Sequence, residues 1–176
     1  MLLTLTGTRE SELAVRTRRL TDAPITLRTA TRDEADAIHE LIDEHLAEGH
    51  LLPRELDEVA LHAHRFVVAV QDGEVLACAE LAPLSRAVAE VRSFAVSREA
   101  RGRGVGRRIV DELNRRASAA GYEKLCAFTH SPGYFVHLGF SIVPHTWLPE
   151  KIATDCHHCS RFRKCGQYAV IRTFNG

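Results

Sequence analysis

The six residues Arg101-Gly102-Arg103-Gly104-Val105-Gly106 constrain this chain more than any other stretch. They follow an apolar run ending at Phe94-Ala95-Val96 and precede a pattern of helical period. A strand that empties through glycines into a helix aims several backbone N–H groups at one point, with the positive end of the helix dipole behind them. Glycine suits such a turn because close approach of an anion leaves no room for Cβ, and because the turn can require positive φ. Arg101, Arg103, Arg107 and Arg108 add positive charge around the same point. The stretch reads as a cradle for a pyrophosphate.

The rest of the chain reads as alternating strands and helices. Ile25–Thr29 alternates as a first strand, and Thr31 with Glu34 three residues on forms a capping box for a helix reaching about Glu48. Gly49 ends that helix, Leu51–Arg54 is a loop, and a short helix covers about Glu55–His64. Phe66–Val70 and Val75–Leu81 form a hairpin about Asp72-Gly73, and Ala89–Val96 is a third strand of that group. After the glycine turn, Val105, Ile109, Leu113 and Ala117 mark the buried stripe of a helix to about Ala120. Strand Lys124–Thr129, short helix Pro132–Leu138, strand Phe140–Val143 and strand Gln167–Thr173 follow, the last expected to close the sheet. This is an α/β (α+β) order, a mixed sheet with helices on both faces. A dinucleotide-binding fold would need a further βαβ unit and an acidic residue after its second strand, and neither is present.

At 176 residues the chain can bury a core of its own, and 23 basic against 23 acidic residues leave no global field to recruit nucleic acid or an anionic membrane. Met1–Pro24 has neither the apolar core nor the cleavage pattern of a secretion signal and is expected to be a partly ordered lead-in to a single domain over 25–176. Five cysteines, an odd number, fit reduced thiols in the cytoplasm. An excess of Arg over Lys and abundant Ala fit a bacterial source of high GC content.

The Arg101–Gly106 turn on its strand and helix, followed by Tyr134-Phe135-Val136-His137-Leu138-Gly139-Phe140, resembles the GNAT superfamily of N-acetyltransferases over about residues 25–143. Gly49–Arg54, Ala89–Val96, Leu148–Lys151 and the tail Asp155–Cys165 are similar to short, stand-alone N-acetylglutamate synthases, which lack the amino-acid kinase domain and its arginine feedback site. The resemblance implies a GNAT fold, with a mostly antiparallel twisted sheet of about six to seven strands. It implies acetyl-CoA as co-substrate and acetyl transfer by direct attack of an amine, most simply the α-amine of L-glutamate, the first step of arginine biosynthesis. It also implies a small-molecule acceptor, no nucleic-acid or membrane partner, and possible homodimers through sheet edges.

On that basis the cofactor would be held by Phe94, Ala95, Val96, Arg101, Gly102, Arg103, Gly104, Val105, Gly106 and Arg107. Pyrophosphate would sit on the N–H groups of Arg103–Arg107, pantetheine would pair along Phe94–Val96, and an N–H near Ala95 or Val96 would take the oxyanion. The attacking amine must lose a proton, so Glu90 is the first candidate base and Glu80 the second; each could instead be an ion-pair partner or a solvated sheet residue. Many relatives have a tyrosine acid where this chain has Phe135, and Tyr134, one step along the helix, is expected to pack. An acceptor with two carboxylates needs cations, of which Arg54 leads, followed by Arg92 and Lys151, with Thr129 adding a hydroxyl; surface arginine is the alternative for each. Cys156, Cys159 and Cys165 with His157 and His158 have some look of a zinc knuckle, but free thiols in a packed C-terminal flap are expected, and no metal. Two other readings stand: an acetyltransferase for another amine (amino acid, polyamine, antibiotic or protein N-terminus), and a non-catalytic acyl-CoA sensor.

Overall fold

The computed structural model describes residues 21–49 and 51–174, with no account of the Arg163 side chain. Most of the expected lead-in, and His50 of the Gly49–Arg54 motif, lie outside the described residues. The elements are β1 (Thr26–Thr29), α1 (Ala35–Ala47), α2 (Leu56–Leu61), β2 (Phe66–Gln71), β3 (Glu74–Pro83), β4 (Val88–Val96), α3 (Val105–Ala119), β5 (Lys124–Thr129), α4 (Pro132–His137), β6 (Ser141–Val143), α5 (Pro149–Thr154) and β7 (Tyr168–Thr173). Short 3-10 turns precede α1 and β2, follow β4, and flank α5. The Thr31 N–H donates to Glu34 Oε2 at 2.8 Å, as the capping box requires. Asp72 and Gly73 both take positive φ, the geometry of a two-residue hairpin.

The seven strands lie in the order β1-β2-β3-β4-β5-β7-β6. Only β4 and β5 are parallel; every other neighbouring pair is antiparallel. Two details differ from the sequence reading. Strand β7 does not close the sheet but lies between β5 and β6, because its six residues pair all of β5 from Lys124↔Thr173 to Thr129↔Tyr168. The three-residue β6 is left as a short edge. The second is α5, a helix over the Leu148–Lys151 motif and the residues after it, to which the sequence reading assigns no element.

Helices cover both faces. On one, Val105, Ile109, Leu113 and Ala117 of α3, with Phe135 of α4 and Leu138 just after it, pack on Val67, Ala69, Leu76, Val91, Leu125 and Ala127. The predicted stripe of α3 is fully buried, and truncating Leu113 to alanine costs about 2–5 kcal/mol. On the other face, Ile38, Leu41 and Ile42 of α1 and Val59 of α2 cover Phe66, Val68 and Cys78. Leu148 beside α5 covers Cys126, Val143 and Ala169 at the far end of that face.

Between these two groups the sheet opens. Strands β4 and β5 pair only over Val88–Glu90 and Lys124–Cys126, although β4 continues to Val96 and β5 to Thr129. In the same stretch β4 slips against β3: Cys78 faces Ala95 while Glu80 faces Arg92, so Ser93 and Phe94 together oppose Ala79. Ser93 takes φ +52°. A bulge bends the strand that carries it, and here it turns the free edge of β4 toward a cleft.

Candidate active site

The cleft has a volume of about 1160 Å³. The end expected to take the donor is the glycine loop and the start of α3; the floor is Glu90–Phe94; the end expected to take the acceptor is Arg54 on one side and Lys151–Asp155 on the other. At the donor end, Gly102 and Gly104 have φ of +76° and +74°, with open space where a Cβ would stand. They are glycines for conformation, since this region costs other residues about 1–2 kcal/mol. Intrahelical bonding begins with Arg108 N–H to Gly104 O at 3.1 Å, leaving the N–H groups of Val105, Gly106 and Arg107 unspent within the helix and pointing out of its positive end. The Arg103 N–H, expected in the cradle, instead donates to Ala100 O at 3.4 Å. Gly106 is glycine for space: a Cβ there would stand 2.7 Å from Tyr134 Oη and 3.0 Å from Phe94 Cζ.

The arginines of the loop divide. Arg101 turns away from the cradle, donating from Nε to Val96 O at 3.1 Å and pairing with Glu48 at 2.8 Å. Arg98 joins Glu48 at 2.8 Å. The hydrogen bonds from Arg101 and Arg98, opposed by burial, hold the Glu48 carboxyl down at about 2. Arg107 reaches Asp111 at 3.6 Å, and Arg108 donates to Ile25 O at 2.9 Å. Arg103 is exposed.

Of the two backbone groups expected to meet the oxyanion, only Val96 faces the cleft side. Ser97 N–H donates to Leu76 O at 2.8 Å, which turns Ser97 and Ala95 toward β3 and Val96 away from it. The Val96 N–H donates to Nε2 of His45, at 3.2 Å. That same nitrogen lies 3.1 Å from Arg101 Nη2, and His45 Nδ1 lies 3.0 Å from Leu41 O. With two donors facing Nε2 and a carbonyl at Nδ1, the ring accepts at Nε2 and donates from Nδ1.

Phe94 stacks on Tyr134 with centroids 5.9 Å apart and meets Phe135 edge-on at 6.1 Å. Phe135 is buried, whereas Tyr134 is 41% exposed on the cleft wall, so it packs and also faces the site. Burial, with Asp111 nearby, raises the Tyr134 hydroxyl above its ordinary range.

At the acceptor end the expected cations converge, each already paired. Arg54 donates from Nε and Nη2 to Glu58 and from Nη1 to Glu80 and Ser93 Oγ, the latter two both at 3.0 Å. Lys151 Nζ lies 2.8 Å from Glu90 Oε1, 2.7 Å from Asp155 Oδ2 and 5.4 Å from the Phe128 ring centre. Arg92 Nη2 pairs with Glu90 at 2.8 Å and Asp155 at 2.6 Å. Glu90 lines the cleft floor; Glu80, 1% exposed, lies behind Arg54 and does not. Thr129 lines the wall, its hydroxyl accepting from the Ser131 N–H at 3.0 Å.

His45, Glu58, Ser93 and Asp155 were not singled out from sequence. Two carried a signal: Glu58 follows Arg54 and Asp155 follows Lys151 by four residues, a helical ion-pair spacing. Cys156, Cys159 and Cys165 border the cleft mouth as thiols, and among the described residues no group of three or more His, Cys, Asp or Glu is placed to hold a metal ion. No helix of the described residues is long and apolar enough to cross a membrane.

Residues 30–140 match the family model described as Acetyltransferase (GNAT) family. An uncharacterized N-acetyltransferase of Chlorobaculum tepidum is 30% identical over 84% of this chain and 95% of its own length. An amino-acid acetyltransferase of Ralstonia nicotianae is 32% identical over 70% of this chain, which spans only 28% of that longer protein. Among solved structures, N-acetylglutamate synthase from Neisseria gonorrhoeae, complexed with coenzyme A and N-acetyl-glutamate, superposes with a TM-score of 0.78 at 25% identity, over 89% of this chain and 36% of that one. A strand opening into a glycine cradle, a splayed β4–β5 pair and these likenesses agree: the chain belongs to the acetyltransferase (GNAT) family and is an N-acetyltransferase.

Proposed function

We propose that this protein transfers acetyl from acetyl-CoA to the α-amine of a small acidic amino acid, L-glutamate, as in the first step of arginine biosynthesis. Its main support is the convergence of Arg54, Arg92 and Lys151 with Glu90 at the end of the cleft away from the glycine loop. An acceptor with two carboxylates and one amine needs cations for the first and a proton acceptor for the second, in one place. The likeness to proteins named amino-acid acetyltransferase and N-acetylglutamate synthase points the same way.

In this reading the N–H groups of Val105, Gly106 and Arg107 take the CoA pyrophosphate at the positive end of α3. The free edge of β4 beyond Glu90 pairs with the pantetheine arm as an added strand would. Glu90 removes a proton from the acceptor ammonium, directly or through water. The neutral amine then attacks the thioester carbonyl, and the Val96 N–H supports the oxyanion. Collapse of the intermediate breaks the C–S bond while the second proton leaves the nitrogen and, through water, the CoA thiolate is protonated to the free thiol. Glu80, enclosed behind Arg54, acts on the acceptor only by holding Arg54 in place.

A second reading takes an uncharged or cationic amine as acceptor. It is favoured by the charge balance of the acceptor end, where Glu58, Glu80, Glu90 and Asp155 match Arg54, Arg65, Arg92 and Lys151 and leave no net positive charge for an anionic acceptor. Thiol release from acetyl-CoA, followed across a panel of amino acids, polyamines, aminoglycosides and peptides, separates the two. Turnover greatest with glutamate is expected. Turnover with a polyamine but not glutamate selects the second reading, and tight CoA binding without any turnover selects the acyl-CoA sensor.

A further inference from the structure

Asp155 follows the last residue of α5, and its backbone is tied on both sides, its N–H to Lys151 O at 3.0 Å and its carbonyl to His158 N–H at 3.2 Å. Its side chain turns back into the cleft. One carboxylate oxygen, Oδ2, accepts from Arg92 Nη2 at 2.6 Å and from Lys151 Nζ at 2.7 Å. Burial raises the Asp155 carboxyl, but Lys151, Arg92 and, from further off, Arg54 together hold it below its ordinary value. All three cations of the acceptor end therefore act on one carboxylate that the chain itself supplies.

The four acidic side chains around these cations are not equivalent. Glu80 and Glu90 stand on interior strands and are 1% and 3% exposed. Glu58 pairs with Arg54 from the helix just after it. The Asp155 side chain is 37% exposed and comes from a segment of short helical turns rather than from the sheet. Glu58, 41% exposed on α2, could also move without breaking a strand, but it holds Arg54. Of the acids on Arg92 and Lys151, Glu90 is fixed in β4 and only Asp155 is free to swing into water. Leaving Arg92 and the nearly buried Lys151 short of a partner would be costly, so the resting protein keeps an anion on them.

We propose that Asp155 is a stand-in for the acceptor: Arg92 and Lys151 form the subsite for one carboxylate of an acidic amino acid, and Asp155 occupies it until the acceptor displaces it. The inference rests on the reading of the acceptor as an acidic amino acid. Displacement exchanges one carboxylate for another, so the subsite keeps its charge balance while the free energy of binding is reduced by the cost of ejecting Asp155. A resident carboxylate thus raises the acceptor KM and rejects weak anions, and removing it lowers that KM without touching the donor end.

The test pairs turnover with the binding of glutarate, a dicarboxylate with no amine to acetylate. Asp155→Asn and, should that variant not fold, Asp155→Ser are compared with the native protein for the glutamate KM and for glutarate affinity by calorimetry in the presence of CoA. The expected result is a glutarate Kd and a glutamate KM at least fivefold lower, with CoA affinity unchanged. Unchanged or weaker glutarate binding overturns the proposal, because a purely structural tie between α5 and β4 can only lose by being cut. If glutamate is acetylated but neither constant falls, the stand-in is wrong and the glutamate reading stands. If glutarate binds more tightly to the variant while glutamate is not acetylated, the subsite stands and the glutamate reading falls.

Discussion

Nε2 of His45, on α1, accepts the N–H of Val96, at the end of β4, across 3.2 Å, occupying the backbone donor that the proposed mechanism gives to the oxyanion. Arg101 holds the same ring from the other side and caps the Val96 carbonyl as well. The donor strand is thus closed at its last residue before acetyl-CoA arrives, and His45 must yield the N–H for the oxyanion to use it.

Replacing that nitrogen while keeping the ring's bulk should ease donor binding. His45→Phe removes one competing hydrogen bond, about 1 kcal/mol, and should lower the acetyl-CoA Kd about fivefold in calorimetry. An unchanged Kd would mean that the bound donor leaves the His45–Val96 contact in place.

Gly104 and Gly106 should fail differently. Gly104→Ala has room for its methyl but must hold φ at +74°, so it should lose about 1–2 kcal/mol of stability and weaken CoA binding without altering the glutamate KM. Gly106→Ala drives a methyl against Tyr134 and Phe94 and should cost about 1–3 kcal/mol, seen in denaturant unfolding. Wild-type CoA affinity in the Gly104 variant would remove the turn's assigned role.

Arg54 supports Glu80 and, in the proposed function, also binds the acceptor, and a double variant separates the two parts. Arg54→Ala leaves the buried Glu80, among the described residues, with Arg65 at 3.8 Å as its remaining ion pair, and should destabilise by about 3–5 kcal/mol while raising the glutamate KM more than tenfold. Adding Glu80→Gln should restore most of the stability and none of the KM. Recovery of both would make Arg54 a support for Glu80 alone.

The pH dependence of stability should report Glu48. Its folded pKa of about 2 lies below its unfolded value of 4.5, so the Arg101 and Arg98 pairs stabilise the fold fully above about pH 4.5. That contribution is lost as pH falls toward 2. Because the arginines are well exposed, it is on the order of 1 kcal/mol. Glu48→Gln should flatten this part of the acid limb of Tm against pH, and an unaltered limb would contradict the assignment.

What the sequence disclosed was local. The glycine turn, the α3 stripe from Val105 to Ala117 and the Asp72-Gly73 hairpin each lie within one or two turns of chain, where period and conformation are written in neighbouring residues. Glu90 and Arg92, two apart on one strand, could be placed on the same face by alternation. The position of β7 inside β6 could not, because a three-residue strand has no readable period and the pairing spans the whole α5 segment. Nor could His45 at Val96 or Asp155 at Arg92, contacts 51 and 63 residues apart that follow from how helices on one face meet the opened sheet. The cations were legible as candidates, and the spacing of Arg54 to Glu58 and of Lys151 to Asp155 was legible as pairing; that Arg92 and Lys151 share Glu90 and Asp155 was not.

The most direct measurement is of the product. Native protein incubated with acetyl-CoA labelled with 13C at the acetyl carbonyl and with 15N-glutamate should yield a carbonyl resonance split by one-bond coupling to the amino acid's α-nitrogen, growing in step with free CoA thiol. Thiol release with glutamate absent, or no coupled carbonyl after complete loss of the thioester, would contradict acetyl transfer to the α-amine of glutamate.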